Sequence, residues 1–219
     1  MKRLSAAAFL IVLAATCARG DTLVSGSVYN RDLSGNVCMS SGTSAGALSL
    51  ACTGDGGGDS ATLTAIVGDT SGMVTANAQS AEAFQAVSYA TVDYDLSVDG
   101  TYMLTGGTGY GYADLTLFTY KGVLGDDPTC TLTLDGQTQS NACAYYIDAV
   151  WQFYVPYNTP LNLDFDASFL SDASEEDGYN VSLDYNFGDL TPSPVPEPLS
   201  LLLLGTGLIP LVARVRRRL

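Results

Sequence analysis

Val181-Ser182-Leu183-Asp184-Tyr185-Asn186-Phe187 alternates a large apolar side chain with a short polar one without a break. Successive side chains of an extended strand point to opposite faces, so this stretch has one face to bury and one to wet. The same period recurs along the chain. Val92, Tyr94, Leu96 and Val98 alternate with Asp93, Asp95 and Ser97, and Leu161, Leu163 and Phe165 alternate with Asn162, Asp164 and Asp166, with Phe169 in the same phase. Leu115 and Leu117 flank Thr116, Leu132 and Leu134 flank Thr133, and Trp151, Phe153 and Val155 share a face. One-sided strands of this kind belong to antiparallel sheets.

Turn-forming clusters separate the runs at Gly54 to Asp59, Gly106 to Gly111, Gly125 to Pro128, Asn158 to Pro160 and Ser171 to Gly178. Further strands are expected near Thr22–Tyr29, Ala47–Cys52, Ala61–Val67 and Gly72–Ala78, and Ser80 to Val87 is the one mild helix candidate between the ends. About ten strands in one domain predict two packed sheets, an all-β antiparallel sandwich of jelly-roll-like type.

Charge is distributed by position. Lys2, Arg3 and Arg19 open the chain, Arg214, Arg216, Arg217 and Arg218 close it, and only Arg31 and Lys121 lie between. Every acid but Glu197 falls in residues 21–195. A body this acidic repels phosphate, which excludes a nucleic-acid binder. The chain of 219 residues has no histidine, which excludes a Ser-His-Asp triad, a Cys-His dyad and a His-ligated zinc.

The ends read as addresses. Lys2 and Arg3 precede an apolar run from Ala6 to Ala15, too short to span a bilayer, and small residues allow cleavage after Ala18 or Gly20. Residues 1–20 are therefore expected to be a signal peptide and 21–190 the exported β-domain. Residues 191–198 form a proline-rich spacer, and 199–219 combine an apolar segment with the arginine tail, expected as a hydrophobic helix whose arginines stay cytoplasmic. Val195-Pro196-Glu197-Pro198, the leucine-rich run and the Arg214, Arg216, Arg217, Arg218 cluster together resemble the PEP-CTERM sorting signal of Gram-negative bacteria. Pro210 is a small departure inside the apolar run. The resemblance covers the C-terminal segment alone. It implies transit through the inner membrane, recognition by an exosortase-type sorting protease, and cleavage near Pro196-Glu197-Pro198. It also implies release or attachment at the cell surface, in association with exopolysaccharide or biofilm matrix. A permanent C-terminal anchor is the alternative reading of the same residues.

Removal of the signal segment takes Cys17 and leaves Cys38, Cys52, Cys130 and Cys143. An oxidising compartment favours disulfides among the four, in three possible connectivities. The local pairing Cys38–Cys52 with Cys130–Cys143 closes hairpin-sized loops, each worth about 3 kcal/mol by the chain-entropy argument. No Cys-x-x-Cys pair suggests a metal, and no metal or cofactor is expected.

Three groups of residues invite chemistry. Gly42-Thr43-Ser44-Ala45-Gly46 matches Gly-x-Ser-x-Gly and resembles the nucleophile segment of patatin-like lipases, with Asp55-Gly56-Gly57 imitating their aspartate motif. That elbow needs a buried strand before the serine and a helix after it, and Leu33 to Ser41 is polar. A small-residue loop is the expectation, and no catalytic residue is assigned. Asp126-Asp127, Asp164 with Asp166, and Glu175-Glu176-Asp177 have no EF-hand spacing and read as a solvated acidic surface rather than a Ca²⁺ site or a glycosidase pair. Tyr110, Tyr112, Tyr145, Tyr146, Tyr154 and Tyr157 are the rings that would stack on sugars if exposed. The sequence therefore predicts an exported, non-enzymatic surface or matrix protein. The alternatives are a carbohydrate-binding module and, further off, an extracellular hydrolase.

Overall fold

Each alternating run becomes a strand whose apolar phase is buried. The computed structural model describes residues 21–31, 36–53, 59–80, 89–121, 128–143, 148–174 and 178–193. They contain thirteen strands and no helix. These are β1 (Asp21–Arg31), β2 (Val37–Ser44), β3 (Ala47–Thr53), β4 (Ser60–Val67), β5 (Ser71–Gln79), β6 (Tyr89–Leu104) and β7 (Tyr110–Lys121). They continue as β8 (Thr129–Leu134), β9 (Gln137–Ser140), β10 (Asp148–Pro156), β11 (Leu161–Ser174), β12 (Gly178–Asn186) and β13 (Leu190–Pro192). The helix candidate at Ser80 to Val87 and the two terminal signals, including Val195 to Pro198 and the arginine tail, lie outside the described residues apart from Ser80 itself.

One sheet runs β2-β1-β6-β11-β8-β9, with β13 added to the far end of β6, and the other runs β10-β7-β12-β5-β4-β3. All pairings within the two sheets are antiparallel. β2 packs against β3, β1 against β4 and β6 against β5, so the sheets face one another. The eight strands β5 to β12 interleave as β5-β12-β7-β10 in one layer and β6-β11-β8-β9 in the other. That is the strand order of a jelly roll, widened on one side by β1 to β4.

The inner faces carry the core. Val92, Tyr94, Leu96 and Val98 of β6, Leu163, Phe165 and Ala167 of β11, and Val181, Leu183 and Tyr185 of β12 are each at most 2% exposed. Each large aliphatic or aromatic side chain buried this way contributes about 1.5–3 kcal/mol of transfer free energy. Phe165 meets Phe187 edge-on at 5.5 Å and Tyr185 at 5.6 Å, forming an aromatic centre between the layers. Gly26 sits on the inner side of β1, where a Cβ would come within 2.6 Å of the Asp93 carbonyl and would also strike Leu63. Only glycine lets β1 lie that close.

The structure lengthens and adds strands relative to the sequence reading. β2 covers Val37–Ser44, whose Gly42 to Ser44 were expected in a small-residue loop, and β9 and β13 were not expected. β11 continues through Ser171–Ser174, where a turn was predicted, because those residues pair with Val92 to Tyr89 of β6. The sandwich reaches Ser193, whose N–H donates to the Thr101 carbonyl at 2.8 Å, beyond the start of the proline-rich stretch.

Both pairings of the local disulfide scheme are present. Cys38–Cys52 joins β2 of one sheet to β3 of the other, at the end of these two rim strands away from the Ala45-Gly46 crossing. Cys130–Cys143 ties β8 to the segment leaving β9 for β10, at the opposite rim. Trp151 closes that rim from the second sheet by donating its indole N–H to the Ala142 carbonyl at 3.1 Å.

Two buried tyrosines make opposite predictions. The Tyr185 hydroxyl donates to the Gly68 carbonyl at 2.7 Å and accepts from the Gly68 N–H at 3.1 Å, whereas the buried Tyr94 hydroxyl has no hydrogen-bond partner among the described residues. Tyr185→Phe is expected to cost about 1–2 kcal/mol in urea unfolding, and Tyr94→Phe to be neutral or stabilising. Gly26→Val is expected to cost about 3 kcal/mol by forcing the layers apart, read in the same titration.

Candidate functional site

The outer faces of the two sheets differ in chemistry. On the first sheet, Asp95, Ser97 and Asp99 of β6 point outward beside Asp164, Asp166 and Ser168 of β11. Asp164 pairs in register with Asp99, and Ser168 with Asp95. Hydroxyls continue the face, with Thr129 and Ser168 sharing a hydrogen bond at 2.7 Å and Thr133 and Thr138 another at 3.0 Å. A shallow open groove of about 340 Å³ crosses this face between Leu23 and Ser25 of β1 and Thr129 and Thr131 of β8, with Asp95 and Asp166 in its wall.

Alternation places these carboxylates on one face, and like charges then accumulate across neighbouring strands. Partial burial raises the Asp164 pKa above its ordinary 3.8, and the charges of Asp166 and Asp99 raise it further. Asp93 is raised by burial and then by Asp95, and Asp184 by burial. Among the described residues no group of three or more His, Cys, Asp or Glu is arranged to hold a metal ion. Asp126-Asp127 and Glu175-Glu176-Asp177 lie outside those residues.

On the second sheet the outer face carries rings. Tyr110 and Tyr112 leave the start of β7, and Tyr154 stands opposite Tyr112 on β10. Tyr154 lies 5.4 Å from Tyr110 with the planes inclined 21°, and 5.2 Å from Tyr112 inclined 52°. The three keep 62%, 61% and 54% of their surface exposed, so they form a shelf of ordered but wet rings. Next along the face, Gln152 donates its amide to the Asp114 carboxylate at 3.1 Å, and the Asp114 N–H donates to the Asp189 carboxylate at 3.0 Å.

The glycine-rich loop explains the position of the shelf. A Cβ at Gly107 or Gly111 would sit 2.5 Å from ring atoms of Tyr157, so the two glycines provide that ring's seat. Tyr157 N–H donates to the Gly109 carbonyl at 2.9 Å, and the Asn158 amide donates to the Gly107 carbonyl at 2.9 Å. The β6–β7 and β10–β11 loops are thereby clamped together under Tyr110 and Tyr154.

Of the six tyrosines singled out from sequence, Tyr110, Tyr112 and Tyr154 come together, Tyr157 is a half-buried support, and Tyr145 and Tyr146 lie outside the described residues. Gly42 to Ser44 end strand β2 instead of forming a loop, and Ala45-Gly46 leads straight into strand β3, with no helix. Ser44 Oγ accepts from the Gly46 N–H at 3.2 Å, a local turn contact, while Asp55-Gly56-Gly57 lies outside the described residues. The rim disulfides fit an oxidising, extracellular or periplasmic environment. No protein family, no curated protein and no solved structure matches the chain.

The crowded carboxylates give a pH signature. Because the folded pKa of Asp164 lies above 3.8, the stability it contributes is complete below that pH and is lost as pH rises through the folded value. Asp164→Asn is therefore expected to raise the melting temperature at pH 7, with the gain vanishing below about pH 4. Circular dichroism melts across that range read it.

Proposed function

We propose that this chain is an exported, non-enzymatic protein of the cell surface or extracellular matrix. It is delivered by the PEP-CTERM-like C-terminal signal and associated with exopolysaccharide or biofilm. The observation that carries the reading is the pair of disulfides closing both rims of a sandwich whose sequence is bracketed by a secretory-type segment and the Pro-Glu-Pro, apolar and arginine series. Reducing compartments do not maintain such bonds. The wet face of the first sheet agrees with exposure to an aqueous exterior, because carboxylates, serines and threonines predominate along β6 and β11. In this reading Val195, Pro196, Glu197 and Pro198 are the processing element, and Arg214, Arg216, Arg217 and Arg218 hold the tail inside until an exosortase-type protease acts.

Mass spectrometry of the surface-exposed protein, produced with and without the sorting protease, tests this. The expected mature chain begins after Ala18 or Gly20 and lacks residues 199–219 only when the protease is present. A surface protein that keeps its arginine tail in both strains contradicts the sorting step and leaves a permanent anchor.

A further inference from the structure

We propose that Tyr110, Tyr112 and Tyr154 form a binding shelf for a neutral polysaccharide, with Asp114 and Gln152 as its polar edge. The argument begins with what a folded protein has no need to leave in water. Rings serving only as cross-strand partners can bury themselves, as Tyr94 and Tyr185 do in this molecule. The shelf rings instead contact one another and remain more than half exposed, and they cluster at one end of one face. Exposed aromatic clusters with a polar rim mark recognition surfaces.

The chemistry of the rim selects the ligand. Pyranose rings present apolar C–H faces bordered by hydroxyls, which suits aromatic rings beside a carboxylate and an amide. Gln152 and Asp114 already hold each other at 3.1 Å, and the rings are ordered by mutual contact, so binding immobilises little that was free. Charge sets the class. The shelf borders Asp114 and Asp189 in a body whose only basic residues between 20 and 213 are Arg31 and Lys121. Uronate, sulfate or phosphate groups would be repelled, so an uncharged polymer fits and an anionic one does not.

The proposal relies on the exported-protein reading only to bring the shelf to its ligand, and the two fail separately. Affinity electrophoresis of the disulfide-bonded full chain in mild non-ionic detergent tests it. The native gels contain dextran, hydroxyethylcellulose, galactomannan or xylan, with alginate as the anionic probe. Retardation by at least one neutral polymer and none by alginate is expected. Tyr110→Ala/Tyr112→Ala/Tyr154→Ala is expected to weaken that binding at least about tenfold, a loss of about 1.4 kcal/mol. Tyr154→Ala alone, checked for an unchanged melting temperature, repeats the test should the triple variant fail to fold. Ile66→Ala, on β4 of the same sheet, is expected to change nothing. Passage through all four neutral gels without retardation overturns the proposal, as does equal retention of the tyrosine variants or equal retardation by alginate. Self-association abolished by the tyrosine variants, without any glycan retardation, overturns it in favour of a second copy as the occupant. An intact arginine tail would overturn the sorting reading and leave the gel result standing.

Discussion

The whole molecule depends on burying two one-sided sheets against each other. Period-two alternation makes each sheet apolar on one face, and neither face is stable in water alone. At the centre the solution is ordinary close packing, with Tyr94, Phe165, Tyr185 and Phe187 among the side chains between the layers. At the rims packing is thinner. β2 offers Cys38, Ser40, Gly42 and Ser44 to the interior side, and β9 is polar throughout. The chain crosses between sheets after each of these strands, and the two disulfides lie in β2 and just past β9. Covalent ties thus stand where hydrophobic burial is weakest.

Burying one face leaves the other free to carry function. The first sheet uses its outer face for charge and hydroxyls, at the cost of like-charge contacts between Asp99, Asp164 and Asp166. The cost is tolerable in water, where exposed carboxylates stay solvated and screened. The second sheet exposes aromatic rings on its outer face, Phe118 and Tyr120 toward one end of β7 and the three shelf tyrosines at the other. The glycines that seat Tyr157 hold the shelf end in place, so the shelf is built on two clamped loops and two paired strands rather than on a loose segment.

Strands with strong alternation could be read directly. β6, β11 and β12 follow from Val92 to Val98, Leu161 to Phe169 and Val181 to Phe187, because every second residue is apolar and all but Ala167 are large. β2 could not be read this way. Its inward residues are small or hydroxylated, and backbone pairing with β1 and the Cys38 link hold it as a strand. β9, Gln137–Ser140, has no apolar phase at all. Its signal was Asp135-Gly136, a two-residue hairpin turn in which both residues take positive φ, 49° and 77°. At Ser171–Ser174 small polar residues suggested a turn, and pairing with the long β6 prevailed. The shelf was half legible. The tyrosines were visible as candidates, but only the register placing Tyr112 opposite Tyr154 separates them from Tyr157, which turns toward the glycines.

The central claim, that covalent ties hold the rims while packing holds the middle, can be measured strand by strand. Amide hydrogen exchange would compare the native chain with Cys38→Ser/Cys52→Ser. The expectation is exchange at least about tenfold faster in β2 and β3, from a tie worth about 3 kcal/mol, with β6 and β11 changing least. Unchanged exchange at β2 and β3, or equal acceleration in every strand, would contradict this account.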